Sequence, residues 1–141
     1  MRIAHVVATS TSKYAQQIRA GRHRFSADEP KSSGGSDGGP TPYSLLLASL
    51  GACTSITLRM YAERKGWELG TVEVDLDFAK EDEKDVIRRE VRFSAPLTEE
   101  QRARLAEIAD KTPVTKTIRQ GARIETEVLA GQAQRAHSDI E

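Results

Sequence analysis

The chain carries a single cysteine, Cys53, and no other side chain in it offers a comparably strong nucleophile. A thiol reacts as its thiolate, so chemistry at Cys53 calls for a positive charge close by. Ser49 and Thr57 lie four residues to either side, on the same helical face, but hydroxyls bring no charge. A guanidinium must therefore come from another element, and Arg19, Arg22 and Arg24 are the candidates by type, with Arg19 the preferred one. An arginine near a sulfur favours the thiolate and biases it toward attack on a peroxide O–O bond. A lone cysteine that follows the small pair Gly51-Ala52 on an apolar helix reads equally as a small hydrophobe of the core. Both readings stay open at this level.

Other chemistries find little support. His5, His23 and His137 are far apart and have no second ligand at metal-binding spacing, so no metal and no cofactor is expected. The only Gly-rich stretch is laden with Ser and Asp and ends in proline, unlike a phosphate-binding loop. Lys plus Arg and Asp plus Glu are both 21, a balance that argues against a nucleic-acid partner. One cysteine cannot form an intramolecular disulfide, and the opening MRIAHVVATSTSKY lacks the apolar core of a signal peptide. The stretch from Tyr43 to Ala62 carries Ser44, Ser49, Thr54, Ser55, Thr57 and Arg59, too polar for a membrane span. A cytoplasmic protein is expected.

The elements that must position Cys53 follow from periodicity. Residues 2–8 and 13–28 read as strands joined by a polar turn, the second broken by a turn signal at Gly21. Residues 29–41, EPKSSGGSDGGPT, form a loop that is either a flexible connector or a binding segment. A long helix follows to Lys65, with Thr41 as cap, Pro42 in its first turn and Gly66 as stop. About 22 residues at ~1.5 Å each span roughly 33 Å. The middle of this helix, Leu45 to Leu58, is apolar or small on every face and must be enclosed, which a second subunit would achieve. TVEVDLDFAK and VIRREVRFS alternate as a half-buried antiparallel hairpin, with Arg89 oddly on the apolar face, as at a register break or a strand end. Thr98 and Gln101 open a helix with a capping box, and a short helix runs from Thr112-Pro113 toward Gly121. ARIETEVL reads as a closing strand, and residues 131–141 as a polar tail. The order predicts one α+β domain over residues 1–130.

The run GGPTPYSLLLASLGACTSITLRMYAERKGW resembles the helix signature of OsmC/Ohr proteins, and ADKTPVTKTI resembles their second signature. The resemblance spans about residues 12 to 130. It implies an OsmC-like fold, antiparallel sheets around a long buried central helix, in an intertwined homodimer whose subunits share each active site. It also implies reduction of hydroperoxides by two cysteines in oxidative-stress defence. Cys53 matches the first; Thr112, in Thr112-Pro113-Val114, stands where the second, resolving cysteine would be. The family's carboxylate near the helix start is replaced by Tyr43 and Ser44. The resemblance thus implies a one-cysteine, peroxiredoxin-like thiol peroxidase with Cys53 and Arg19 catalytic, and Tyr43, Ser44 and Thr112 lining the pocket. Its partners would be a hydroperoxide or apolar ligand and a small thiol or dithiol reductant. The alternative is a catalytically silent dimeric binding module or redox sensor.

Overall fold

The computed structural model describes residues 1–131, so the polar tail, apart from Gly131, lies outside the described residues. The chain resolves into two compact units, one of Met1–Ser44 with the segment from Ile124, the other of Leu45–Arg123.

In the first unit, strands β1 (Val6–Thr9), β2 (Gln16–Ala20) and β3 (His23–Ala27) form an antiparallel meander. The turn signal at Gly21 is real: its φ of +62° lets Ala20 pair directly with His23. Pairing sets Ala8, Ile18 and Phe25 in one row, and Val7, Arg19 and Arg24 in the next, on the opposite face. The Gly-rich loop is not a slack connector. The buried Asp28 carboxylate accepts the N–H groups of Glu29 (2.7 Å), Ser36 (3.3 Å) and Gly38 (3.1 Å). These bonds, Gly38 foremost, hold the Asp28 carboxyl below the usual carboxylate range. A Cβ at Gly39 would lie 2.4 Å from the Ser26 carbonyl oxygen, so the loop folds this tightly only with glycine there.

Helix α1 covers Pro42–Lys65, and Thr41 caps it by accepting the Ser44 N–H at 3.1 Å. Leu50, Thr54, Leu58 and Ala62 form its buried stripe, one residue per turn. Within this one chain the helix is not enclosed on all sides. Tyr43, Ile56 and Met60 are more than half exposed. By length and composition α1 could cross a membrane, although Arg59 on it donates to the Gly70 carbonyl at 2.7 Å.

The rest of the second unit is a hairpin and two helices. Strands β4 (Val72–Glu81) and β5 (Lys84–Phe93) pair without interruption from Val72↔Phe93 to Glu81↔Lys84. Their outer face sets Glu73 opposite Arg92 and Asp77 opposite Arg88, while the inner face carries the apolar residues. Helix α2 (Glu99–Ala109) opens on the expected capping box, Gln101 N–H to Thr98 Oγ1 at 3.0 Å and Thr98 N–H to Gln101 Oε1 at 2.9 Å. Helix α3 (Pro113–Gln120) starts from Thr112. Leu58, Ala62, Leu69, Leu105 and Ala109 form the core, with Trp67, Val91 and Phe93 packed on it. Each buried leucine contributes about 2 kcal/mol.

Two expectations need correction. Arg89 marks neither a register break nor a strand end, because it pairs with Leu76 in the middle of an unbroken ladder. The expected closing strand is absent: residues 122–129 join no sheet, and Ile124 and Val128 are 85% and 92% exposed. An alternating sequence becomes a strand only when a partner edge takes its N–H and C=O groups.

Candidate functional site

Cys53 sits half-buried in the middle of α1 with a free thiol. Its chain neighbour Thr54 is fully buried, and the Thr54 hydroxyl donates to the Leu50 carbonyl at 2.7 Å, the ordinary way a helical threonine satisfies its proton. The oxygen's lone pairs remain available as an acceptor. Arg89 donates to that oxygen.

Its place on the inner face of β5 sends the Arg89 side chain among α1, α2 and α3. Nη1 donates to Thr54 Oγ1 at 2.9 Å and to Thr115 Oγ1 at 3.0 Å. Nη2 donates to the Ala109 carbonyl at 3.1 Å and reaches Asp110 Oδ1 at 3.5 Å. The side chain is 13% exposed. Burial pulls the Arg89 pKa down; the Asp110 carboxylate and the Cys53 sulfur oppose that, and the nearby Arg119 adds to it. Arg89 stays charged, because no shift of this kind brings a guanidinium near neutral pH. Ala109 lies in the last turn of α2, where unsatisfied carbonyls and the helix dipole favour a cation.

Thr112 completes the network. It is fully buried; its oxygen lies 2.6 Å from the Thr115 hydroxyl and accepts the Thr115 N–H at 3.3 Å as the α3 cap. Arg119 donates to the Asp110 carbonyl at 3.0 Å and to Asp110 Oδ1 at 3.2 Å. One guanidinium therefore ties α1, the end of α2 and the start of α3 together, one residue along α1 from Cys53.

Of the residues singled out from sequence, Thr112 joins this network through Thr115, and Cys53 is the chain neighbour of Thr54, which receives Arg89. The others belong to the first unit. Arg19 is on β2, directly opposite Arg24. Tyr43 and Ser44 occupy the first turn of α1, Tyr43 61% exposed and Ser44 bonded to Thr41. Arg89 was missed as a site residue, though a charge in the apolar row of a strand was its visible signal. Thr54 and Thr115 gave none, since buried helical threonines are common and need no partner beyond their own backbone. Among the described residues no group of His, Cys, Asp or Glu side chains could hold a metal.

Comparison with known proteins gives the family and the fold. Residues 34–127 match the family described as OsmC-like protein. Among solved structures, a Psychrobacter arcticus protein described as an osmotic stress induced and detoxification response protein superposes with a TM-score of 0.72 at 14% identity, covering 83% of this chain and 89% of that one. The organic hydroperoxide resistance protein OhrB of Bacillus subtilis superposes with a TM-score of 0.61 at 23% identity, covering 84% and 91%. An OsmC organic hydroperoxide resistance protein from Legionella pneumophila gives 0.65 at 18%, covering 84% and 90%. These likenesses show the fold. No curated protein matches the chain by sequence.

Proposed function

We propose, from the premise that this chain belongs to the OsmC-like protein family, that it is a thiol-dependent hydroperoxide reductase working with one cysteine. The observation that carries the reading is the buried Arg89 guanidinium, which donates to Thr54, the residue next to Cys53 in α1. The Cys53 thiolate attacks the distal peroxide oxygen, the O–O bond breaks, and the alkoxide leaves as an alcohol after taking a proton. Cys53 becomes a sulfenic acid. A small external thiol then condenses with it, releasing water and forming a mixed disulfide; a second thiol displaces Cys53 and leaves as the oxidised disulfide. Arg89 stabilises the thiolate and the charge that develops on the departing oxygen. Thr112 has no sulfur to offer, so the reductant must come from outside the chain.

The working form is a soluble, cytoplasmic homodimer in this reading. The exposed face of α1 and the exposed apolar side chains of segment 122–129, which joins no sheet, are the surfaces a second copy would cover. A second copy would also give Arg19, Tyr43 and Ser44 a route to the site. The competing reading, a silent binding module or redox sensor for an apolar ligand, draws on the same network: both Nη atoms of Arg89 already have partners. Purified protein challenged with cumene hydroperoxide and hydrogen peroxide, with a sulfenic-acid trap and a Cys53→Ser control, separates them. Rapid trapping, faster with the organic peroxide and reversed by added thiol, is expected. Oxidation no faster than that of free cysteine would leave only the binding module.

A further inference from the structure

A second place in the Leu45–Arg123 unit has the make-up of a binding site. A cleft of about 300 Å³ runs along α2 over the inner face of β5. Leu58, Val91, Phe93 and Leu105 wall it, with Ala106 presenting only a methyl group. Arg102 stands near the start of α2, and Arg89 and Asp110 stand at its end. Eight residues of helix separate Arg102 from Asp110, roughly 12 Å of rise.

The charges do not balance. Two guanidiniums line the cleft against one carboxylate, and Asp110 is already shared by Arg89 at 3.5 Å and Arg119 at 3.2 Å. The Arg102 side chain forms no ion pair among the described residues; its guanidinium donates to the Leu97 carbonyl at 2.7 Å, with further donors in the fork. The two arginines also differ in role. Arg89 has its Nη donors engaged and serves as a fixed positive wall, while Arg102, exposed at the opposite end, is the one able to take a new carboxylate bidentately.

We infer that this cleft binds an organic anion, a monocarboxylate with an unbranched apolar chain, its head group on Arg102 and its chain along Val91, Phe93 and Ala106, over the buried Leu58 and Leu105. At roughly 30 Å³ per non-hydrogen atom the cleft holds about ten such atoms. Octanoate has that size. Val91 and Phe93, half-buried, and the exposed Ala106 keep area to bury, and the excess positive charge sets the sign of the head group. The cleft shares Arg89 with the proposed peroxide site, but binding at Arg102 requires no reaction at Cys53 and is read without it.

Titration of the full chain with octanoate, octan-1-ol and acetate, followed by calorimetry and by NMR shifts of Ala106 and Val91, tests it. Saturable binding of octanoate is expected, about tenfold or more tighter than octan-1-ol, with acetate not bound. Arg102→Gln should weaken octanoate about tenfold and leave octan-1-ol unchanged. Ala106→Leu, which fills the cleft from an exposed helix position, should abolish both while the melting temperature stays within a few degrees. Equal affinity for octanoate and octan-1-ol, an Arg102→Gln variant that binds octanoate like the parent, or no saturation in the parent protein would each overturn the assignment.

Discussion

Removing the Arg89 side chain, as in Arg89→Ala, is the sharpest test of how this domain is held together. Three short hydrogen bonds disappear, to Thr54 at 2.9 Å, Thr115 at 3.0 Å and the Ala109 carbonyl at 3.1 Å. The fourth, at 3.5 Å to an Asp110 side chain that is 62% exposed, is long and wet enough to neglect. Each of the three contributes about 1–1.5 kcal/mol net. The lost methylene packing adds about 1 kcal/mol. Two effects work against this sum. Burial already penalises the guanidinium, and removing it relieves that penalty, by about 1–2 kcal/mol for a side chain still touching water. The abandoned acceptors also keep partners, since Thr54 still donates to Leu50 and Thr115 still meets Thr112. The balance is a loss of about 2–3 kcal/mol, or roughly 6–10 °C in melting temperature for a chain of this length. Urea unfolding of the parent, Arg89→Ala, Thr115→Val and the double variant measures it. The cycle should return a coupling of about 1 kcal/mol between Arg89 and Thr115. Strict additivity, or an Arg89→Ala protein within ~0.5 kcal/mol of the parent, would refute the claim that this guanidinium joins the three helices.

The remaining predictions concern the two loops. The β4–β5 turn places Asp82 and Glu83 at φ of +52° and +65°, a conformation glycine adopts freely, so Glu83→Gly should raise stability by about 0.5–1 kcal/mol with no change in the hairpin register. A thermal melt checks it, and a destabilised variant would mean that the Glu83 side chain holds the turn. Asp28 has a folded carboxyl pKa below its unfolded value, so its contribution is present above the ordinary carboxylate range and is lost as pH falls through the lower, folded value. Amide exchange of Ser36 and Gly38 should therefore rise at acid pH in the parent, and should already be fast at neutral pH in Asp28→Ala.

Much of this protein was legible from residue order alone, where a local rule governs a local outcome. Thr41, Pro42 and Gly66 bracket α1 because capping needs only neighbours in the chain. The Thr98–Gln101 box and the alternation across β4 and β5 are of the same kind. Cys53 stood out because it is the sole thiol, and Thr112 because it heads a helix in the place of a second one. What surrounds Cys53 needed the tertiary structure. Arg89 and Thr54 are 35 residues apart in the chain, and Arg89 and Thr115 are 26 apart; only packing of β5 against three helices brings their donors and acceptors into register. Periodicity could say that Arg89 faces inward but not what would receive it there. The segment 122–129 shows the converse: its alternation is plain in the sequence, yet a strand requires an edge to pair with, and no edge within the described residues takes it.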